Sequence, residues 1–95
     1  MADEIETLIE WFKEDRVRVI EQRIPPGAST GFHRHEEDYV VVPITNGKLV
    51  SRSKDGDSPV TMKLAVPRIM RAGREHEVVN ESDSEVSSIE IQLLR

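Results

Sequence analysis

No segment of this 95-residue chain runs far before something stops it. Pro25-Pro26-Gly27 ends the first clear run, because consecutive prolines remove backbone donors and neither a ladder nor a helix interior continues through them. Lys13-Glu14-Asp15, Asn46-Gly47, Lys54-Asp55-Gly56-Asp57, Pro67, Ala72-Gly73 and Glu81-Ser82-Asp83-Ser84 break up the rest, at spacings of about ten residues. The pieces between them read as strands. Arg16-Val17-Arg18-Val19-Ile20 alternates polar and apolar, the period-2 mark of a half-buried strand, and continues to Ile24. Further strands are expected at Thr30–His35, Tyr39–Thr45, Lys48–Ser53, Val60–Val66, Glu77–Asn80 and Ser88–Leu94. Asn46-Gly47 is the strongest hairpin signal, with Lys48–Ser53 as the returning strand. Many short strands joined by tight turns predict an all-β sandwich or barrel.

The first fifteen residues form an N-terminal extension that reads two ways. Ile5, Leu8, Ile9 and Phe12 fall at helical spacing with Asp3 as a cap, whereas Thr7–Phe12 is short, branched and aromatic like a strand. The strand is the expectation, because the segments after it in the chain all read as strands. Length limits the chain to one domain, residues 1–95, with a thin core that buries about 60–65% of its unfolded surface. Such a core gains from a metal or from oligomerisation.

Charge and residue usage exclude several functions. Eighteen acids against 13 bases leave a net charge of −5, which argues against a general nucleic-acid binder. With no cysteine there is no disulfide framework, thiolate nucleophile or thiolate metal site. Any metal must be held by imidazole and oxygen. The acidic start lacks the pattern of a secretory signal, and the longest apolar run, Tyr39–Ile44, is too short to span a membrane. The expectation is a cytoplasmic protein with a small-molecule ligand and no nucleic-acid or membrane partner.

The chain has three histidines. His33 and His35 are two apart, so on a strand they face the same side. His76 can join them only if a neighbouring strand places it opposite. Neutral imidazoles so placed can share a metal at about 2.0–2.1 Å. Taken alone, His-x-His is equally the pattern of surface or core histidines.

The spacing around these residues resembles the cupin superfamily. Gly27, five residues, His33-Arg34-His35 and Gly47 match its first motif, and Gly73, two residues, His76, three residues and Asn80 match its second. The match spans more than half of the chain. It implies a single-domain double-stranded β-helix (jelly-roll) barrel, similar to small cupin 2 type conserved barrels. It also implies a metal site of His33, His35 and His76, holding a divalent transition metal: Fe, Ni, Zn, Mn or Cu. Imidazole ligands suit such metals without choosing among them. The motif glutamate is missing: its position falls at Val40, or at Tyr39 with the shorter spacing, and Arg71 and Ala65 replace a second-motif proline and glycine. Some similar cupins, thiol dioxygenases among them, use three histidines without it.

By the motif register Val40, Val42 and Ile44 face the barrel interior, while Tyr39, Val41 and Pro43 form a second apolar face. A strand apolar on both sides is covered on both sides, either by the N-terminal segment or by another subunit, which makes a homodimer the expected assembly. Tyr39 and Arg71 are the candidate substrate-binding residues, a hydroxyl near the metal and a fork for a carboxylate or phosphate. Core packing and a solvated edge are their plainer roles. No catalytic residue is assigned. Three functions remain open: a small metalloenzyme, a dioxygenase or an isomerase; a non-catalytic binding or regulatory cupin with a degenerate or vacant metal site; and a structural protein.

Overall fold

A computed structural model describes residues 6–94. Its strands are β1 (Thr7–Glu14), β2 (Val17–Ile24), β3 (His33–Arg34), β4 (Tyr39–Pro43), β5 (Gly47–Ser53), β6 (Gly56–Met62), β7 (Arg68–Met70), β8 (Glu75–Val79) and β9 (Val86–Leu93). Among the described residues there is no helix. The N-terminal segment is therefore a strand; Ile5 and the Asp3 cap lie outside the described residues. The strands form two antiparallel sheets, ordered β1-β2-β9-β4-β7 and β3-β8-β5-β6. The core lies between the sheets: Ile24, Ala28 and Val86 meet Leu49 and Met62, with Val41, Val60 and Val78 packed against them.

Three local expectations change. The Asn46-Gly47 hairpin does not form. β4 pairs with β7 and β9, and β5 pairs with β6 and β8, so the chain crosses between sheets at this point. Asn46 accepts a bond from the Leu64 backbone N–H at 2.9 Å, holding the crossover against the loop after β6. Gly47 is needed for close approach: a Cβ there would meet Cγ2 of buried Val86 at 2.6 Å. Strand β6 begins earlier than Val60, because the turn closes on Lys54-Asp55 and pairs Ser53 with Gly56. The expected Thr30–His35 strand shortens to His33–Arg34 and an isolated bridge from Ser29 to Val79.

The interior face of β4 also differs from the motif register. Ladder partners share a face, which traces rows of side chains across the five-stranded sheet. One row runs Phe12, Val19, Ile91, Val40, Ile69, and the next Ile9, Glu21, Ile89, Val42. The opposite face carries Ile20, Glu90, Val41 and Arg68, flanked by Gln22, Ser88 and Pro43 on one side and by Arg18, Gln92, Tyr39 and Met70 on the other. Val41 packs on the core and Tyr39 lies in the barrel. The interior face of β4 is thus Tyr39, Val41 and Pro43, not Val40 and Val42. Three residues separate His35 from Tyr39, so the odd positions that hold the histidines stay inward through the break.

Because Val86 is branched and 2% exposed, Gly47→Ala overpacks this contact. It is expected to destabilise the fold by about 1–3 kcal/mol. Val86→Ala in the same chain should recover part of that loss, measured by urea unfolding as a double-mutant cycle.

Candidate metal centre

The three histidines meet because the segment 27–35 is zipped antiparallel onto 73–80. His33 stands opposite His76 on the β3–β8 ladder. Backbone bonds extend the pairing both ways: His35 N–H to Arg74 O (2.9 Å) and Gly73 N–H to His35 O (2.7 Å) at one end, Thr30 N–H to Val78 O (2.9 Å) and Asn80 N–H to Ala28 O (2.9 Å) at the other. Gly73, at φ 95°, makes the turn that brings its own N–H onto His35. Asn80 is fully buried and locks the far end. Its Nδ2 donates to Ile24 O and Ser84 O, and its Oδ1 accepts from the N–H and the hydroxyl of Ser82.

Within this frame the Nε2 atoms converge. His33 Nε2 lies 2.9 Å from His35 Nε2, which lies 3.1 Å from His76 Nε2. The opposite ring nitrogen fixes the tautomer of His33. His33 Nδ1 is 2.9 Å from Gly31 O, and a carbonyl only accepts, so Nδ1 carries the proton. His76 Nδ1 is 2.8 Å from the buried Ser51 hydroxyl, which can accept its proton in the same way. With Nδ1 protonated, His33 turns an Nε2 lone pair toward the other two rings, as does His76 in the tautomer that donates to Ser51, and a shared cation accepts such lone pairs. Imidazole N–H groups tied to oxygen acceptors are also the usual outer shell of a metal site. His33, His35 and His76 are the group among the described residues that could hold a metal ion.

Burial keeps His35 and His76 neutral. It is the leading reason that His35 and His76 are both lowered to about 4, with the neighbouring histidines and Arg74 adding to the effect. Tyr39 stacks on His35, ring centroids 4.3 Å apart and planes 27° apart. Burial raises its phenol well above the ordinary value. Tyr39 is the inward residue at the shorter motif spacing, where the family has its glutamate. Val40 points outward, into the row with Ile69 and Ile91.

A cavity of about 70 Å³ opens beside His76. Its polar lining is Gln22, Tyr39, Arg68, Arg74, Ser88 and Glu90. Arg71 is not among the lining residues; its side chain is largely exposed and pairs with Asp38 at 3.5 Å. Glu90 is a site residue that the motifs do not mark. It is 5% exposed, accepts a bond from Gln92 Nε2 at 3.0 Å, and is raised above its ordinary pKa, chiefly by burial. The sequence signal for it is the alternation Ser88-Ile89-Glu90-Ile91-Gln92, whose polar face looks inward rather than to solvent.

No family model matches the chain. It is 43% identical over 77 residues to the beta-alanine degradation protein BauB of Pseudomonas aeruginosa, covering 81% of each. It superposes on a crystallised cupin domain of Bordetella pertussis with a TM-score of 0.95 and 37% identity, over 100% of this chain and 99% of that one. The chain belongs to the cupin superfamily. A cupin superfamily protein of Desulfitobacterium hafniense, at 16% identity and a TM-score of 0.73, covers 100% of this chain and 84% of its own, and shares the fold. The cupin architecture expected from the two motifs is therefore present, as a jelly-roll barrel.

The depressed histidines give a sign for the pH dependence of the metal-free cupin. Between pH 6.5 and about 4 the unfolded chain takes up protons that the folded chain refuses, so stability falls with pH across that window. Glu90, raised in the fold, works the other way, because the folded chain protonates it first. Denaturant midpoints of metal-free protein should drop from pH 7 to pH 5, and more steeply in Glu90→Gln.

Proposed function

We propose that this cupin is a small metalloprotein in which His33, His35 and His76 hold a divalent transition metal (Fe, Ni, Zn, Mn or Cu) and the barrel binds, and acts on, a small molecule. The observation that carries this reading is the convergence of three imidazole Nε2 atoms, with the outer nitrogens of His33 and His76 turned to oxygen partners. Three neutral ligands leave coordination positions open, as in catalytic rather than structural sites, and a metal there would supply Lewis-acid or redox chemistry. Dioxygen-dependent oxidation and isomerisation are the reaction classes that suit such a site. The protein's own groups have definite tasks. Tyr39 fixes the plane of His35, and Glu90 can hold or release a proton at its carboxyl inside the cavity. The relative named for β-alanine degradation supports a role in small-molecule metabolism, and the acidic charge supports neither a nucleic-acid nor a membrane partner. No helix of the described residues is long and apolar enough to cross a membrane, and we assign the protein to the cytoplasm.

A second reading is a non-catalytic binding or regulatory cupin. It is favoured by Val40 and Tyr39 at the two places where the family's acidic ligand would stand. Metal analysis and turnover separate the two. Protein purified without an affinity tag and dialysed against each metal in turn should retain about one equivalent of at least one of them, and His76→Ala should lose at least tenfold in affinity. Unchanged affinity in that variant would place the metal elsewhere. Oxygen uptake by the iron form across a panel of thiols and small acids distinguishes enzyme from binder.

We also propose that the protein is a homodimer through the outer face of the five-stranded sheet. β1 extends that sheet at its edge and does not cover β4, so the N-terminal segment is not the missing cover. Trp11 (56% exposed), Phe12 (50%) and Ile69 (52%) flank Val40, Val42, Ile89 and Ile91 on one apolar surface. Its one buried charge, Glu21, accepts a bond from Trp11 Nε1 and pairs with Arg23. Such a surface is rare on a monomer. Sedimentation at micromolar concentration should give twice the chain mass, and Phe12→Glu with Ile69→Glu should give a folded monomer. A wild-type mass of one chain sinks the idea.

A further inference from the structure

Two arginines face the barrel cavity without a partner. Arg68 stands opposite Val41 on the β4–β7 ladder, in the inward row with Glu90. Arg74 precedes His76 and Val78 by two and four positions, and all three line the cavity, as alternation along a strand requires. Arg18, Arg23, Arg34, Arg52 and Arg71 each reach a carboxylate. Arg68 and Arg74 make no ion pair and no side-chain hydrogen bond among the described residues. The acid that shares their cavity does not neutralise them. Glu90 accepts from Gln92 and makes no ion pair with either arginine. Both arginines act instead on the Tyr39 hydroxyl, and Arg74 also on His35 and His76. Two uncompensated guanidiniums at one cavity, in a chain of net charge −5, are a site for an anion.

The remainder of the wall restricts the anion further. Val41, Leu49, Val60, Met62, Met70 and Val78 make the surface between the polar groups apolar. The cavity of about 70 Å³ has room for roughly five waters, or for a ligand of similar size. A planar carboxylate matches the guanidinium fork, and a short hydrocarbon matches the wall.

We propose that Arg68 and Arg74 are the carboxylate-binding end of the cavity, and that its ligand is a short-chain carboxylic acid lying along the apolar wall, with its other end toward His33, His35 and His76. This deepens the reading of the barrel as a small-molecule site and names the ligand class. The carboxylate is held by the arginines rather than by a metal. Propionate and its neutral isostere propionamide test it, titrated by NMR at fixed ionic strength into metal-free and zinc-loaded protein. Propionate should bind both forms about tenfold more tightly than propionamide. Arg68→Gln and Arg74→Gln should each weaken propionate several-fold, and together about tenfold or more, with propionamide unaffected. Arg52→Gln, on the surface with Glu81, controls for net charge. Both positions are exposed, so the variants should keep the wild-type thermal midpoint, and the single variants give the readout if the double does not fold. Equal binding of propionamide, or full propionate binding in both single variants, overturns the proposal. Binding that needs zinc and ignores both arginines overturns it while leaving the metal reading intact. Arginine-dependent binding in a protein that retains no zinc supports it while the metal reading fails.

Discussion

The antiparallel register that sets His33 across from His76 is the constraint on which the rest depends. Only two residue pairs belong to that ladder, yet backbone bonds and Asn80 carry the pairing from Gly73 to Asn80. A slip of one residue would turn His33 and His35 to the other face and scatter the three imidazoles. The saturated amide of Asn80 at one end and the turn at Gly73 at the other make such a slip costly, since each would leave buried polar groups unpaired. The features that look like generic loop chemistry in this chain are what hold the geometry of the site.

The five-stranded sheet mixes Ile20, Tyr39, Val41, Pro43 and Met70 with polar side chains on its inward face. Its inward face carries Gln22, Ser88, Glu90, Gln92 and Arg68, and its outward face carries Val19, Val40, Val42, Ile69, Ile89 and Ile91. An interior that holds polar groups around a cavity cannot also supply the full apolar core of so short a chain. The apolar burial that remains is divided between the cluster of Ile24, Ala28, Leu49, Met62 and Val86 and the outer face of the sheet. A polar barrel thus accounts both for the group around the histidines and for the exposed apolar surface on the other side.

Much of the fold and part of the site was legible in the sequence. Proline and glycine punctuation with period-2 alternation is local, and so it reports strands reliably. The spacing of Gly27, His33, His35, Gly73, His76 and Asn80 reports the pairing of two distant segments, because each residue type is demanded by that geometry. Glu90 was not legible, and neither was which of the arginines ahead of His76, Arg68, Arg71 and Arg74, would face the cavity. Alternation along Ser88–Gln92 divides the strand into two faces and is silent on which one is inside. Arg71 and Arg68 are equivalent as sequence, and only the pairing of Asp38 with the first and of Val41 with the second separates them. Asn46-Gly47 misled for a related reason: its glycine answers to Val86 across the barrel rather than to a local turn.

The sequence by itself determined that the chain is built of short strands, that it belongs with the cupins, and that three histidines are the candidate ligands. The strands follow from period and turn chemistry, which act over a few residues; the family and the candidate ligands follow from the resemblance of two spaced motifs. The tertiary structure alone decided which face of each strand is the interior, that Tyr39 rather than Val40 stands beside the histidines, and that Glu90, Arg68 and Arg74 share their cavity. Those are relations between strands far apart in sequence. They are set by ladder register and by the closing of two sheets on each other, and a one-residue choice of parity, invisible in any single segment, inverts all of them together.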